Sequence, residues 1–424
     1  MRGLRFLGAS VVLALLAASP LPAQSPAREK QFNIDSFETV WTTIRDKHWD
    51  KNPGGLDWLA THAEFRPKIE AAATIDETRA VIREMLSRLH QTHFAIVASD
   101  IYDNVAAEGG EAWPGFEVRV LEGAVLVSSL SPETPGVNPG WEVLSVDGID
   151  LRELVRKLHQ NPGIQEAAIQ RAVLVQMRGP TGKRRRFEFR TSAEESAPPV
   201  IREIALLPPR GNATTFGNLP TQYVWFESRK IGNTGYVAFN EFLDLVRVMG
   251  QFGSAVQSCG KCDGLIIDLR GNPGGIGGMA MGMAGWLVDR QNLRLGTMYM
   301  RGATLNFVIN PRADAYLGPV AILVDGASAS TSEIFAGGLK DIGRARVFGT
   351  RTAAAALPSV FMRLPNGDGF QYAIANYISQ GGKALEGIGV TPDEEVKLSR
   401  EGLLAGHDAV LDAAFEWIRQ QRGK

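Results

Sequence analysis

Short apolar runs in the second half of the chain alternate with segments of helical periodicity, and this alternation limits the possible fold more than any other feature. The apolar runs have the length and composition of buried strands: Gly235–Phe239, Gly264–Leu269 and Val320–Val324. Helical segments follow them, near residues 241–257, 278–288 and 332–340. Strands that alternate with helices favour a sheet covered by helices. We therefore predict an α/β core over residues 212–424.

Two further parts precede this core. Residues 28–98 carry apolar side chains at helical spacing, interrupted by Asn52-Pro53-Gly54-Gly55, and they predict a small helical domain. Residues 113–195 change to short alternating segments with one helical stretch, Leu151–Leu158, and they predict a β-rich domain. A Pro-rich joint near residues 197–211 leads into the core. A chain of 424 residues is long enough for several parts that each bury a core.

The first residues have the pattern of a secretory signal peptide. Arg2 and Arg5 precede an apolar stretch, and Leu21-Pro22-Ala23 has the small-residue pattern of a cleavage site. We expect residues 1–23 to be removed and the mature protein to be exported, to a periplasmic or extracellular location; an uncleaved anchor is the alternative. No other segment approaches the roughly 20 apolar residues of a membrane-spanning helix. No integral membrane segment is therefore expected after cleavage.

Charge and cysteine content argue against two classes of protein. The 45 basic and 46 acidic residues give a net charge of −1, whereas nucleic-acid-binding proteins carry a basic field, so no nucleic-acid partner is expected. The two cysteines, Cys259 and Cys262, are too few for a four-ligand zinc site. A local disulfide is the favoured interpretation, with a redox-active pair as the weaker alternative.

A serine-rich junction follows the strand candidate at Val320–Val324. In residues 325–341, DGASASTSEIFAGGLKD, Ser330 lies where the strand gives way to an apolar helix. The first N–H groups of a helix have no partner within the helix and favour negative charge, so a nucleophilic serine would be stabilised there. Glu333 follows at the spacing of a capping box. This segment alone leaves nucleophile and helix cap equally open.

A glycine-rich turn follows another strand candidate. Residues 266–275, IIDLRGNPGG, run from an apolar segment directly into the turn. Glycine permits positive φ, so successive N–H groups can converge on one point, as in an oxyanion hole. The phosphate-binding patterns GxxxxGK[ST] and GxGxxG are absent after the strand. A tight turn without further function remains the alternative.

A nucleophilic serine needs a base, and the chain has six histidines. His90 and His93 lie where a helical pattern gives way to a strand, so one of them could project from the junction. The remaining four lie in sequence typical of exposed helix faces: His48, His62, His159 and His407.

Three motifs together carry a resemblance to a known family. DLRGNPGG, SASTSEIFAGGLKDIGRARVFG and LEGIGVTPD occur in this order, and together they resemble the S41 family of serine peptidases, which contains the C-terminal processing and tricorn-like proteases. FETVWTTIRDKHWD resembles the family's N-terminal region, and SSLSPETPGVNPGWEVLSVDG resembles its PDZ domain. The resemblance implies a ClpP/crotonase-like α/β catalytic core with an N-terminal helical domain and a PDZ-like β-rich domain.

The family has two catalytic arrangements. Processing proteases use a serine and a lysine, and the lysine follows the strand after the nucleophile helix, where this chain has the alanine run 353–356. Lys340 and Lys383 do not match that motif, so the dyad is disfavoured.

The tricorn-like branch instead uses serine, histidine and glutamate, with a hydroxyl residue beside the histidine. The residues that match it are Ser330, His93, Glu386 and Thr92, where the threonine replaces a serine. His90 has no counterpart in that branch and is interpreted as structural. The resemblance also implies an oxyanion hole made by the backbone N–H groups of Gly274 or Gly275 and of Thr331.

What the resemblance implies is an exported serine endopeptidase that cleaves peptides or unfolded proteins through an acyl-enzyme, with no metal and no other cofactor. The PDZ-like domain would bind a substrate C-terminus by strand addition, or act only as a spacer or gate. Two alternatives stay open: a catalytically silent protein that binds a peptide or an apolar ligand, and an ester hydrolase, which the absence of G-x-S-x-G disfavours. The oligomeric state is not predicted.

Overall fold

The computed structural model describes residues 26–104, 110–134, 136–160, 164–194, 196 and 198–421. The predicted signal peptide, residues 1–23, lies outside them, and no helix within them is long and apolar enough to cross a membrane. The helices are α1 Pro26–Lys47, α2 Trp58–Ala71, α3 Ile75–Ser87, α4 Ser99–Asn104, α5 Leu151–His159, α6 Glu166–Met177, α7 Leu245–Ser258, α8 Gly277–Ala284, α9 Thr331–Asp341, α10 Arg400–Leu404 and α11 Ala409–Gln421. The strands are β1 Ala95–Val97, β2 Phe116–Leu121, β3 Ala124–Leu130, β4 Glu142–Val146, β5 Ile149–Asp150, β6 Arg184–Arg190, β7 Val200–Ala205, β8 Asn212–Thr214, β9 Gln222–Val224, β10 Phe226–Ile231, β11 Thr234–Phe239, β12 Gly264–Asp268, β13 Arg294–Met300, β14 Ala303–Val308, β15 Val320–Val324, β16 Arg346–Gly349, β17 Ser359–Arg363, β18 Gly369–Ala373, β19 Ala375–Ser379 and β20 Glu394–Glu395.

A six-stranded sheet forms the centre of the molecule and confirms the predicted α/β core. Its strand order is β10-β11-β12-β15-β16-β20, and all neighbours pair in parallel except β10 with β11. Every residue of β11, β12 and β15 is buried, because α7, α8 and α9 cover one face and α11 covers the other. The carboxyl ends of β12 and β15 meet at one edge, so the glycine-rich turn and the serine-rich junction lie side by side.

The N-terminal helices do not complete their own core. Helices α1 to α3 pack against the hairpin of β17 and β18 through Leu364 and Phe370, and β1 adds to the same hairpin beside β18. Arg79 in α3 forms a two-pronged ion pair with the buried Asp368, at 2.7 Å from Nη2 to Oδ1 and 3.0 Å from Nε to Oδ2. The segment that follows α3 is thereby held against the α/β core.

The β-rich part is a sheet of order β2-β3-β4-β6-β7, with β5 beside β4, and α5 and α6 pack on it. The prediction of a single helical stretch there was wrong, because α6 is a second helix. Three successive apolar residues at 173–175 obscure its period, although Ile169, Val173 and Met177 recur every four residues and are buried. Arg119 in β2 reaches the central sheet, with its Nε 3.1 Å from Asp325 Oδ2, and this places the β-rich part over the sheet edge that carries the serine-rich junction.

Cys259 and Cys262 form a disulfide at the end of α7, as predicted. The Cys259 side chain is buried against Gly235 in β11, where an added Cβ would lie 2.3 Å from its sulfur. The bond therefore helps to fix the end of α7 on the central sheet.

Candidate active site

Ser330 lies at a sharp turn between β15 and α9. Its backbone has φ 53° and ψ −115°, a combination that costs free energy for a residue with a side chain. Its N–H donates to the carbonyl oxygen of Ala355 at 2.8 Å and to Glu333 Oε2 at 3.0 Å. Ser330 and Glu333 have the arrangement of a capping box, yet Ser330 Oγ makes no hydrogen bond of ordinary geometry to the helix. The hydroxyl thus remains available on the cavity that Ser330 lines.

The two neighbouring serines are buried and fully engaged. Ser328 Oγ donates to the carbonyl oxygen of Leu269 at 2.7 Å, and Ser332 Oγ donates to that of Asn272 at 2.9 Å. Both bonds join the serine-rich junction to the end of β12. They hold the two loops together and leave Ser330 as the serine of this run that faces the cavity.

Glu333 has a larger structural part than its spacing in the sequence indicates. Its carboxylate is completely buried and accepts four hydrogen bonds, from Ser330 N, Thr352 Oγ1, Ala354 N and Ala355 N. Burial raises the pKa of Glu333 to about 7, and these hydrogen bonds partly oppose the rise. Glu333 therefore binds the turn at Ser330 to the alanine run, and the capping-box spacing was the only sequence signal for it.

The glycine-rich turn lies directly against Ser330. A Cβ added to Gly274, whose φ is 101°, would lie 2.8 Å from Ser330 Cβ, so only glycine fits there. The N–H of Gly274 donates to Asn272 Oδ1 at 2.9 Å, whereas the N–H groups of Gly275 and Thr331 have no hydrogen-bond acceptor among the described residues. Thr331 Oγ1 donates to the carbonyl oxygen of Gly275 at 2.8 Å and fixes the two loops relative to each other. Two N–H groups are thus free beside Ser330.

Thr92, His93 and Glu386 form a chain of hydrogen bonds. Thr92 Oγ1 lies 2.8 Å from His93 Nδ1 and donates to Glu386 Oε2 at 2.9 Å. A hydroxyl has one proton, so Thr92 must accept from His93, which places the imidazole proton on Nδ1 and leaves the lone pair on Nε2. Glu386 also accepts from the N–H groups of Thr92 and Ala356, at 2.7 and 3.1 Å. The arrangement fixes both the tautomer and the plane of the histidine ring.

Burial acts on both titratable groups of this chain. It lowers the pKa of His93 to about 4, so the imidazole is neutral near pH 7 and can accept a proton. It raises the pKa of Glu386, and the hydrogen bonds from Thr92 and Ala356 oppose that rise.

A cavity of about 1710 Å³ joins these groups. Its wall includes His93, Ser330, Gly274, Gly275 and Thr331, together with apolar side chains of the strands β13 and β14 and residues of the β-rich part. All the sequence-predicted site residues therefore lie on this cavity, except Thr92 and Glu386, which reach it through His93.

The other candidate bases are placed differently. Lys340 lies at the far end of α9, about 15 Å along the helix from Ser330 at 1.5 Å per residue, and its Nζ donates to the carbonyl oxygen of Thr391. Lys383 is exposed in a loop, as is His90. No group of three or more His, Cys, Asp or Glu in the described part of the chain is arranged to hold a metal ion.

The prediction that four histidines lie on exposed helix faces holds only in part. His159 and His407 are exposed and His62 is half-buried, but His48 is completely buried. Part of its environment comes from Gln91 and Phe94, more than 40 positions later, which local periodicity does not reveal.

Comparison with known proteins shows similarity to peptidases. Residues 233–396 match the model of peptidase family S41, and residues 33–87 match that of the tricorn protease C1 domain. A carboxyl-terminal-processing protease of Picosynechococcus sp. is 26% identical over 379 residues, which are 85% of this chain and 83% of that protein. The solved structure of a photosystem II D1 C-terminal processing protease has a TM-score of 0.57 at 21% identity, covering 90% of this chain and 98% of that one. Mature CPAF has a TM-score of 0.62 at 15% identity, covering 92% and 97%. These two structures share the fold of this chain.

Proposed function

Because the chain belongs to peptidase family S41 and is therefore a serine-type peptidase, we propose that it is an exported endopeptidase that cleaves peptide bonds through an acyl-enzyme on Ser330. The observation that carries the assignment is the hydrogen-bond chain from Glu386 through Thr92 to His93 Nδ1. It leaves His93 Nε2 unprotonated on the cavity that Ser330 lines. No lysine among the described residues lines this cavity.

In the proposed reaction, Ser330 Oγ attacks the scissile carbonyl carbon while His93 Nε2 takes the hydroxyl proton. The C–N bond then breaks, and the imidazolium returns the proton to the leaving amine, so the acyl group stays on Ser330 as an ester. A water molecule, deprotonated by the same nitrogen, hydrolyses the ester and restores the serine. Glu386 stabilises the imidazolium through Thr92 in both halves of the reaction.

The oxyanion of the tetrahedral intermediate would accept hydrogen bonds from the N–H groups of Gly275 and Thr331. Both lack an acceptor in the described structure, whereas the N–H of Gly274 is already bonded to Asn272. Gly274 then contributes close packing against Ser330 and not a donor. Loss of one oxyanion donor typically costs about 10²–10³ in rate.

The substrate would be a peptide or an unfolded protein segment, and the site of action periplasmic or extracellular. The cavity is bordered by both the central sheet and the β-rich part, which supports an extended chain lying between them. We infer that the β-rich part, predicted over residues 113–195 and extended by β7 to Ala205, is PDZ-like and presents the substrate to the site. The helical part, residues 28–98, and the core, residues 212–424, complete the proposed division into domains.

Proteolysis of an unfolded protein by wild type, Ser330→Ala and His93→Ala tests the assignment. Both variants should lose at least about 10³ in rate. His90→Ala is the matched control, because His90 is exposed three positions from His93 and should be dispensable. Retained proteolysis by Ser330→Ala or His93→Ala would refute the assignment.

A fluorophosphonate probe should label Ser330 in the wild type. A chain that neither cleaves protein nor reacts with the probe would be a silent binding protein, and one that cleaves only esters would be an ester hydrolase.

A further inference from the structure

The segment 91–94, which carries His93, has few backbone contacts of its own. His93 has φ 61° and His90, just before the segment, has φ 50°, both in the region where residues with side chains are strained. Of the four N–H groups of the segment, only that of Thr92 donates to another group in the described part of the chain, at 2.7 Å from Glu386 Oε1. Strained backbone persists only where its surroundings hold it, so side-chain contacts must fix this segment.

His48 supplies such contacts on both sides of the Thr92–His93 pair. It lies just beyond the end of α1 and is completely buried. Its Nε2 is 2.9 Å from Gln91 Oε1, and its ring stacks on that of Phe94, with centroids 5.8 Å apart and planes at 16°. Trp49 covers the ring at 3.8 Å between centroids.

The tautomer of His48 follows from the contacts of both ring nitrogens. Nδ1 lies 3.0 Å from the Asp50 nitrogen and 3.1 Å from the Asp50 carbonyl oxygen, but Nε2 faces Gln91 Oε1, which can only accept, so in the neutral ring Nε2 carries the proton and Nδ1 accepts from the Asp50 N–H. Nε2 therefore donates to the side-chain oxygen of Gln91. Burial lowers the pKa of His48, which keeps the ring in this neutral form.

We propose that His48 is a positioning residue of the peptidase site, which fixes the segment 91–94 so that His93 is directed at Ser330. The proposal rests on the proposed role of His93. The segment is then held from two directions: by Glu386 through Thr92, and by His48 through Gln91 and Phe94. A displacement of about 1 Å in a catalytic group can cost 10²-fold in rate. The N-terminal helices would thus contribute to catalysis and not only to stability.

Three variants of the full-length protein test this contact. His48→Leu removes the donor, and kcat should fall about 10- to 100-fold while KM stays within about threefold. His48→Gln retains an N–H donor on a side chain of suitable reach, and it should restore kcat to within about fivefold of wild type. Gln91→Leu should lower kcat as His48→Leu does, and the double variant should be no slower than the worse single variant, because both remove one interaction.

His62→Leu is the matched control. His62 belongs to the same helical part and is half-buried, but within the described part of the chain its hydrogen bonds are to Glu38 and its ring contacts are with Phe37 and Trp41, the latter at 4.5 Å between centroids. This variant should lower Tm without changing kcat per folded molecule. If the role of His48 were merely structural, His48→Leu would likewise lower Tm without changing kcat per folded molecule.

Wild-type kcat in His48→Leu, measured below its Tm, would overturn the proposal. If His48→Leu does not fold, a wild-type kcat in Gln91→Leu would overturn the proposal instead. The proposed function has a separate test: proteolysis by Ser330→Ala or His93→Ala would refute it. If those two are inactive while the His48 and Gln91 variants match wild type, only the positioning role is lost.

Discussion

Replacing Thr92 with valine should slow the enzyme without unfolding it. The variant keeps the shape of the side chain but removes the hydroxyl that lies 2.8 Å from His93 Nδ1 and 2.9 Å from Glu386 Oε2. Glu386 retains its bonds to the N–H groups of Thr92 and Ala356, so the carboxylate stays in place. His93 Nδ1–H, however, loses its acceptor in a buried site, which costs about 1–3 kcal/mol. At 1.36 kcal/mol per tenfold, kcat should fall roughly 5- to 150-fold.

Thr92→Ser is the matched control, since it keeps the hydroxyl and loses only the methyl group that restricts χ1. Its kcat should remain within about threefold of wild type. Both variants are to be measured by steady-state cleavage of a fluorogenic peptide and by the rate of fluorophosphonate labelling at Ser330. A valine variant with kcat within twofold of wild type would refute a catalytic role for the hydrogen-bond chain through Thr92. A serine variant as slow as the valine variant would show that packing of the methyl group matters instead.

Three further outcomes are expected. The proposed base, His93, would act unprotonated, and burial lowers its pKa to about 4, so kcat/KM for an uncharged substrate should hold as pH falls through 6.5 and decline only nearer pH 4; an acid limb at pH 6.5 or above would contradict this. In Glu333→Gln an amide N–H faces backbone N–H groups, so the free energy of unfolding in urea should fall by about 1–3 kcal/mol. The pKa of Glu333 is about 7 in the folded protein and lower in the unfolded chain, so the stability of wild type relative to this variant should fall as pH rises from 4.5 to 7. A stability difference that grew over this range would count against burial as the cause of the raised pKa. Arg79→Met leaves the buried Asp368 without its cation and should cost about 3–5 kcal/mol in the same assay, whereas a loss below 1 kcal/mol would show that the pair contributes little.

The central sheet could be predicted because its strands are buried on both faces. Such strands are continuous apolar runs between turn signals, and β15 lies at Val320–Val324, where the sequence predicts it. The partners of the N-terminal helices could not be predicted in this way. Arg79 and Asp368 are 289 positions apart in the sequence, and local periodicity cannot indicate a contact between residues so far apart along the chain.

The candidate site was predictable as a set of residues but not as a set of roles. The motifs indicate Gly274 and Gly275 equally as donors, and only the position of the Asn272 side chain, which occupies the N–H of Gly274, distinguishes them. Likewise, the sequence around His48 is typical of an exposed helix end. Its burial depends on where a distant segment lies, which is a property of tertiary packing.

The core that helices α1 to α3 share with β17 and β18 also has a consequence for biosynthesis. The ribosome delivers the helices first, but Leu364 and Phe370, which close their apolar face, emerge some 270 residues after β1. At about 5–20 residues per second, this interval is on the order of tens of seconds. Throughout it, the nascent helices expose apolar surface that β17 and β18 cover only after they have been synthesised. Completion of the N-terminal fold is therefore coupled to synthesis of this hairpin, and Glu386, which emerges later still, can bond Thr92 only after that.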